Sequence, residues 1–204
     1  MAYDGCVPSR LYLTLIVGAA LACAAAALLL LTGGSSSRQE PSGFAGALRP
    51  DIPPQDFRLL DQNGRPATLR DYRGRVVILT FLYTTCRDTC PIMAQQIRGA
   101  LDDLAQPVPA LAVSVDPAGD TPQRAKAFLV RQHLVGRMRY LLGSAGELQP
   151  VWRAYGIAPQ TGGRDHSAYV VLLDRRGRQR IGFPADRLTP EGLAHDIRRL
   201  STIS

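Results

Sequence analysis

The stretch "FLYTTCRDTCP" sets Cys86 and Cys90 at the end of an apolar run, with Arg87, Asp88 and Thr89 between them and Pro91 directly after the second sulfur. Proline lacks an N–H and is tolerated in a helix only in its first turn, so a helix must begin near Asp88 to Cys90. Both sulfurs then sit at or just before a helix N-terminus. Unpaired amides and the helix dipole favour thiolate there, and Arg87 adds a positive charge. The expectation is two partly ionised, accessible sulfurs. They could form a fixed disulfide, act as an attacking and a resolving thiol, or serve as two soft metal ligands. A disulfide across so short a loop gains little from chain entropy.

Metal capture needs a further ligand, and the chain has three histidines. His133 falls near the end of a helical pattern and His195 lies beside Asp196 on the last one, so surface or cap roles are expected for both. His166 stands apart. "GGRDHSAYVVLLD" places it in a loop directly ahead of an apolar strand pattern, behind two glycines that permit a mobile loop. Cys86, Cys90 and His166 make a soft, electron-rich donor set. Such a set suits Cu(I) in a near-trigonal site, or Cu(II) when a fourth donor joins. Zinc would accept the same three ligands plus water, so ligand type leaves both metals open.

The elements that must position these residues follow from periodicity and punctuation. "DFRLLDQNGRPATL" reads as a hairpin around Asn63-Gly64. "RVVILTFLY" is a continuous apolar run rich in β-branched residues, as a buried central strand requires. "PALAVSVD" and "SAYVVLLD" read as further strands, and a turn at "RRG" leads to the short strand "RQRIGF". The helix after the cysteines is expected from about Thr89 to Ala105, with Met93, Ile97, Leu101 and Leu104 on its buried face. Thr121-Pro122 and Thr189-Pro190 are cap-plus-proline starts of two more helices. "SAGELQPVWRAYG" has capping-box spacing from Ser144 to Glu147 and a stop at Gly156; Pro150 inside it predicts a kink or a late start. Strand, cysteine turn, helix, strand, helix, strand, hairpin, helix is the order of a thioredoxin-like α/β domain, here with an N-terminal β-hairpin addition. In that fold the loop carrying His166 packs over the cysteine turn.

The chain has 204 residues, enough for one ordinary domain and something extra. The extra is Leu11–Leu31, an uncharged run whose helix would be roughly 31 Å long, close to the hydrocarbon thickness of a bilayer. A cleaved signal peptide would suit the A-x-A patterns in its middle, but the four leucines that follow favour an uncleaved transmembrane anchor. Cys23 lies in that run as a small lipid-facing residue, and Cys6 has no role assigned. Residues 1–10 are expected in the cytoplasm, 32–54 as a flexible Gly-, Ser- and Pro-rich tether spanning about 25–30 Å, and 55–204 as the folded domain. Phe44 and Leu48 are apolar residues that would shorten the tether by docking. The net charge is +7, nearly all of it arginine, with Lys126 the only lysine. No basic run interleaves with aromatics, so no nucleic-acid site is expected; behind an anchor, lipid headgroups or an acidic protein are better partners.

Together "GRVVILTFLYTTC", "CRDTCP", "VSVDPAGDTP", "WRAYGI" and "DHSAYVVLLD" resemble the SCO/SenC family of membrane-anchored copper chaperones, across essentially the whole soluble domain. The resemblance implies a thioredoxin fold and copper bound by Cys86, Cys90 and His166. It implies delivery of copper to the dinuclear copper site of cytochrome c oxidase during assembly, or reduction of the receiving cysteine pair. It further implies a chaperone in place of an enzyme, with auxiliary thiol–disulfide reduction as an accompanying activity. The domain would face the periplasm in a bacterium or the intermembrane space in a mitochondrion. The Arg- and Ala-rich composition points to a bacterium, and so to a single-pass inner-membrane protein with a periplasmic domain. The chain departs from the commonest turn of the family, C-P-D-V-C-P, at Arg87 and Thr89; all three ligand types remain. The reading from another class is a membrane-tethered thiol–disulfide oxidoreductase or thiol peroxidase, in which His166 would be dispensable.

Overall fold

A computed structural model of the chain describes residues 43–158 and 168–203. The expected anchor at 11–31, the start of the tether, Cys6, Cys23 and His166 lie outside the described residues. Among the described residues no helix is long and apolar enough to cross a membrane.

Eight strands form one sheet in the order β1-β8-β7-β4-β5-β6-β2-β3. At its centre β4 (Val77–Leu82) is buried along its whole length. It pairs in parallel with β5 (Ala110–Ser114), and β5 in parallel with β6 (Met138–Leu142). On its other side β4 pairs antiparallel with β7 (Tyr169–Leu173), which continues through a turn at Gly177 to β8 (Gln179–Pro184). Strands covered on both faces must be apolar throughout, which explains the unbroken "VILTFL".

Alternation along β4 sorts the core into two halves. Ile78 and Leu82 face α1 (Thr89–Asp103), α2 (Pro122–Arg131) and α4 (Pro190–Ile203). Val77, Leu79 and Phe81 face α3 (Ala145–Tyr155). The crossovers β4–α1–β5 and β5–α2–β6 step the same way along the sheet, so their common handedness puts both helices on one face. The hairpin is as the sequence requires: β2 (Arg58–Asp61) and β3 (Pro66–Thr68) pair antiparallel, and Gly64 takes φ 75°. The Asp61 carboxylate caps the turn by accepting from the Asn63 and Arg65 amides, at 2.8 and 2.9 Å. β2 also pairs with β6, which extends the sheet.

The helix caps match expectation. Thr121 accepts from the Arg124 amide, Ser144 and Glu147 form the capping box, and Gly156 ends α3 in the left-handed region at φ 69°. Pro150 produces no late start, because the capping box fixes α3 at Ala145 and the helix runs through the proline. The helix after the cysteines stops at Asp103, short of Ala105.

Two strands were not anticipated. β6 arises from "MRYLL", and β1 (Ala47–Ile52) from the last part of the expected tether. β1 pairs antiparallel with β8, with a register shift between Leu48 and Ile52. The buried Asp196 carboxylate on α4 accepts from the Ala45 and Gly46 amides at 2.8 and 2.9 Å, and the Arg199 guanidinium lies 5.2 Å over the Phe44 ring. Within the expected tether 32–54, residues 47–52 are therefore part of the sheet. Phe44 packs on the core as expected, whereas Leu48 is 71% exposed.

Candidate metal centre

The cysteine turn hangs from the C-terminal end of β4 and closes into α1. The Cys86 amide donates to the Tyr83 carbonyl at 3.3 Å. The Cys90 amide, in the first turn of α1, donates to the Cys86 sulfur at 3.2 Å. A C-x3-C turn at a helix start thus aims a backbone donor at its first sulfur. Both thiols are free.

The two sulfurs are not alike, which corrects the expectation of two accessible, partly ionised groups. Cys86 is half-buried, but Cys90 is wholly buried among Met93, Ala94 and Ile97. Burial pushes the Cys90 thiol far above its ordinary range; the hydrogen bond with Cys86 and the charge of Asp120 add to this, against a Tyr83 backbone contact that favours the thiolate. The helix-terminus argument holds for the position of Cys90. It fails for the sulfur's surroundings, because desolvation of a thiolate outweighs a partial dipole charge. The signal was present in the sequence: Cys90 lies three, four and seven residues ahead of Met93, Ala94 and Ile97, on the buried stripe of α1.

A residue that sequence reasoning did not single out holds the turn in place. Asp120, just ahead of the α2 cap, accepts from the Thr84 amide at 2.7 Å and the Thr84 hydroxyl at 2.6 Å. Its other oxygen accepts from Ser114 at 2.6 Å and Tyr140 at 3.0 Å. One buried carboxylate therefore joins the cysteine turn to the end of β5 and the middle of β6. Burial and the Asp120 charge keep the Tyr140 hydroxyl protonated, as a donor must be. The available signal was the second aspartate of "VSVDPAGDTP", placed where a loop meets a helix cap.

Among the described residues no three metal-ligating side chains converge. Cys86 and Cys90 supply two donors, and His166 lies outside the described residues. What is described is the strand it precedes. β7 lies directly beside β4, and the Tyr169 carbonyl accepts from the Thr80 hydroxyl at 3.2 Å. The chain therefore enters β7 at the end of the sheet from which the cysteine turn leaves. Of the other histidines, His133 is exposed at φ 55° just past α2, in a cap position. His195 is buried and its Nδ1 shares the Asp196 carboxylate at 2.8 Å, contrary to the expected surface or cap role.

Comparison with known proteins bears on the fold and the family. The SCO1/SenC family model matches residues 48–202. The mitochondrial SCO2 homologue of Bos taurus is 30% identical over 182 residues, covering 83% of this chain and 66% of its own length. The chain thus spans just under two thirds of that relative. The solution structure of apo Sco1 from Thermus thermophilus superposes with a TM-score of 0.67 at 25% identity, over 78% of this chain and 97% of that one. The structure of Bradyrhizobium japonicum ScoI with copper bound gives a TM-score of 0.58 at 32% identity, over 73% of this chain and 99% of that one. A thioredoxin-like sheet with a cysteine pair at the β4–α1 junction, matched from β1 to α4, makes this chain a member of the SCO1/SenC family.

Proposed function

We propose that this chain binds copper through Cys86, Cys90 and His166. It would serve as an assembly factor that delivers the metal to the dinuclear copper site of cytochrome c oxidase. The observation that carries the reading is the pair of free thiols at the β4–α1 junction, beside the strand that His166 precedes. His166 is two residues ahead of Ala168, and two residues of chain reach at most about 7 Å. Family membership and the copper-bound relative support copper over zinc for this donor set.

The asymmetry of the sulfurs suits ligand exchange. Cys86 is the one an incoming thiolate or imidazole can reach, while Cys90, held in the core, is the retaining ligand. Binding requires both thiols to lose their protons, so copper loading releases protons. An uncleaved anchor at 11–31 would keep the domain in the periplasm near a membrane-embedded client and raise its effective concentration.

The same asymmetry favours a second, compatible reading. An exposed attacking thiol beside a buried resolving one can reduce a client disulfide. Cys86 opens the client S–S bond to a mixed disulfide, and Cys90 displaces the client thiol. Two electrons pass to the client, its two sulfurs leave as thiols, and a Cys86–Cys90 disulfide remains. Copper titration of the reduced chain separates the readings. Wild type is expected to take about one copper per chain. Cys86→Ser, Cys90→Ser and His166→Ala are each expected to lose tight binding. Wild type without copper, or binding unchanged in His166→Ala, discards the copper centre. Disulfide turnover kept in His166→Ala and lost in Cys86→Ser supports the reductase.

A further inference from the structure

Residues 159–167, which include His166, come between α3 and β7 in the chain. On one side of them stand the last turn of α3 and its cap Gly156; on the other stands Tyr169, the first residue of β7. One side chain from a third element touches both sides. Arg49, on β1, donates from Nη2 to the Tyr155 carbonyl at 3.3 Å. Its guanidinium carbon also lies over the Tyr169 ring, 5.3 Å from the ring centre.

The sheet makes this reach possible. β1 and β7 pair with opposite edges of β8, so Arg49 and Tyr169 meet only across that strand. Between them β8 carries Gly182, opposite Ala47 on one side and Val171 on the other. A Cβ at Gly182 would meet the Tyr169 ring at 2.5 Å, so the glycine is what lets the ring lean over the strand towards Arg49.

A cation at a helix C-terminus interacts with the last carbonyls and needs no aromatic partner. Arg49 has both, and it keeps its Nε–H buried with no acceptor among the described residues. An arginine that served the helix end alone would turn that donor to water. The side chain is held where the ring of Tyr169 requires it.

We propose that Arg49 is a positioning residue for copper. By joining the end of α3 to the start of β7, it fixes the two points from which His166 is presented, and so lowers the entropic cost of bringing the imidazole to the sulfurs. The inference rests on the proposed copper centre. It gives β1 a task beyond extending the sheet: the grip of Asp196 on Ala45 and Gly46 becomes a condition of metal retention. The cysteine turn is held separately, through Thr84 and Asp120, so thiol chemistry is indifferent to Arg49.

The test is Cu(I) retention by the reduced full chain against bathocuproine disulfonate. Arg49→Ala is expected to weaken retention about tenfold, the worth of one hydrogen bond and one stacked cation. Gly182→Ala leaves Arg49 intact but pushes the Tyr169 ring aside, and is expected to do the same. Tyr169→Phe keeps the stacked ring and should match wild type, whereas Tyr169→Leu keeps bulk alone and should not. Amide exchange at 156–157 and 169–170 should quicken in Arg49→Ala, while iodoacetamide labelling of Cys86 in the metal-free chain stays at the wild-type rate. In the His166→Ala background Arg49→Ala should weaken retention no further. Wild-type retention in Arg49→Ala, an equal loss in the His166→Ala background, or a matching change in Cys86 labelling overturns the proposal and leaves the copper centre standing. Retention unchanged by His166→Ala alone discards the copper centre, and this role of Arg49 with it.

Discussion

Asp120 takes both the amide and the hydroxyl of Thr84 on a single carboxylate oxygen, at 2.7 and 2.6 Å, and thereby fixes the residue two positions ahead of Cys86. Ser114 and Tyr140 occupy its second oxygen. Four donors would be stranded by Asp120→Ala, which is expected to cost about 3–5 kcal/mol of stability. Asp120→Asn keeps an oxygen for Thr84 while the two hydroxyls turn to accept, so about 1–2 kcal/mol is expected. Denaturant unfolding measures both. A larger loss for Asn than for Ala would show that the carboxylate does not hold the turn.

Thiol chemistry should follow burial. In the reduced native protein Cys86 is expected to alkylate at least tenfold faster than Cys90, and the difference should vanish in denaturant. Mass mapping after timed iodoacetamide labelling measures it. Equal native rates would place the Cys90 sulfur outside the core that Met93 and Ile97 build.

The entry of the chain has its own lock. Asp196→Ala removes the acceptor for the Ala45 and Gly46 amides and the partner of His195. Those amides regain water if β1 detaches, so the cost is limited to that release, about 1–3 kcal/mol. Hydrogen exchange should become fast in 45–52 and stay slow in β4. Gly46→Val should do the same by another route. A Cβ there would meet Ile181 at 2.5 Å and the Phe183 ring at 2.8 Å, both buried side chains with nowhere to go.

Acid should weaken the hairpin. Burial alone would raise the Asp61 carboxyl, but the Arg65 and Asn63 amides and the Arg139 guanidinium outweigh it and hold it below the usual carboxylate range. A depressed folded value means that its contribution is present above the unfolded carboxylate value, near 3.9, and is lost as pH falls through the folded one. Asp61→Asn is expected to lose on the order of 1–3 kcal/mol at neutral pH. The gap to wild type should close in strong acid. A gap that persists there would assign the loss to packing.

Local signals carried most of the fold. The strands β4 and β5, the Asn63-Gly64 turn and the caps at Thr121 and Ser144 each rest on residues adjacent in the chain. β1 and β6 escaped because nothing within them declares a strand. β1 is drawn from a Gly-, Pro- and Ala-rich stretch by β8 and Asp196, which are more than a hundred residues away. β6 is only five residues long, carries Arg139 among its apolar residues, and is a strand because β5 and β2 flank it. At the candidate site the spacing of Cys86 and Cys90 located the turn correctly. The difference between the sulfurs depended on which face of α1 packs against the sheet, a tertiary matter that the stripe from Cys90 to Ile97 encodes only once the sheet is in place.

Both margins of the sheet carry features that disfavour pairing with another molecule. On one side β3 is three residues long and opens on Pro66. On the other, β1 contains Pro50 and loses register between Leu48 and Ile52. Short length, a missing donor and an irregular ladder each spoil the template that an open strand offers to a neighbouring copy. Two copies of the chain that meet edge to edge therefore find no straight, fully donating strand on which to extend the sheet.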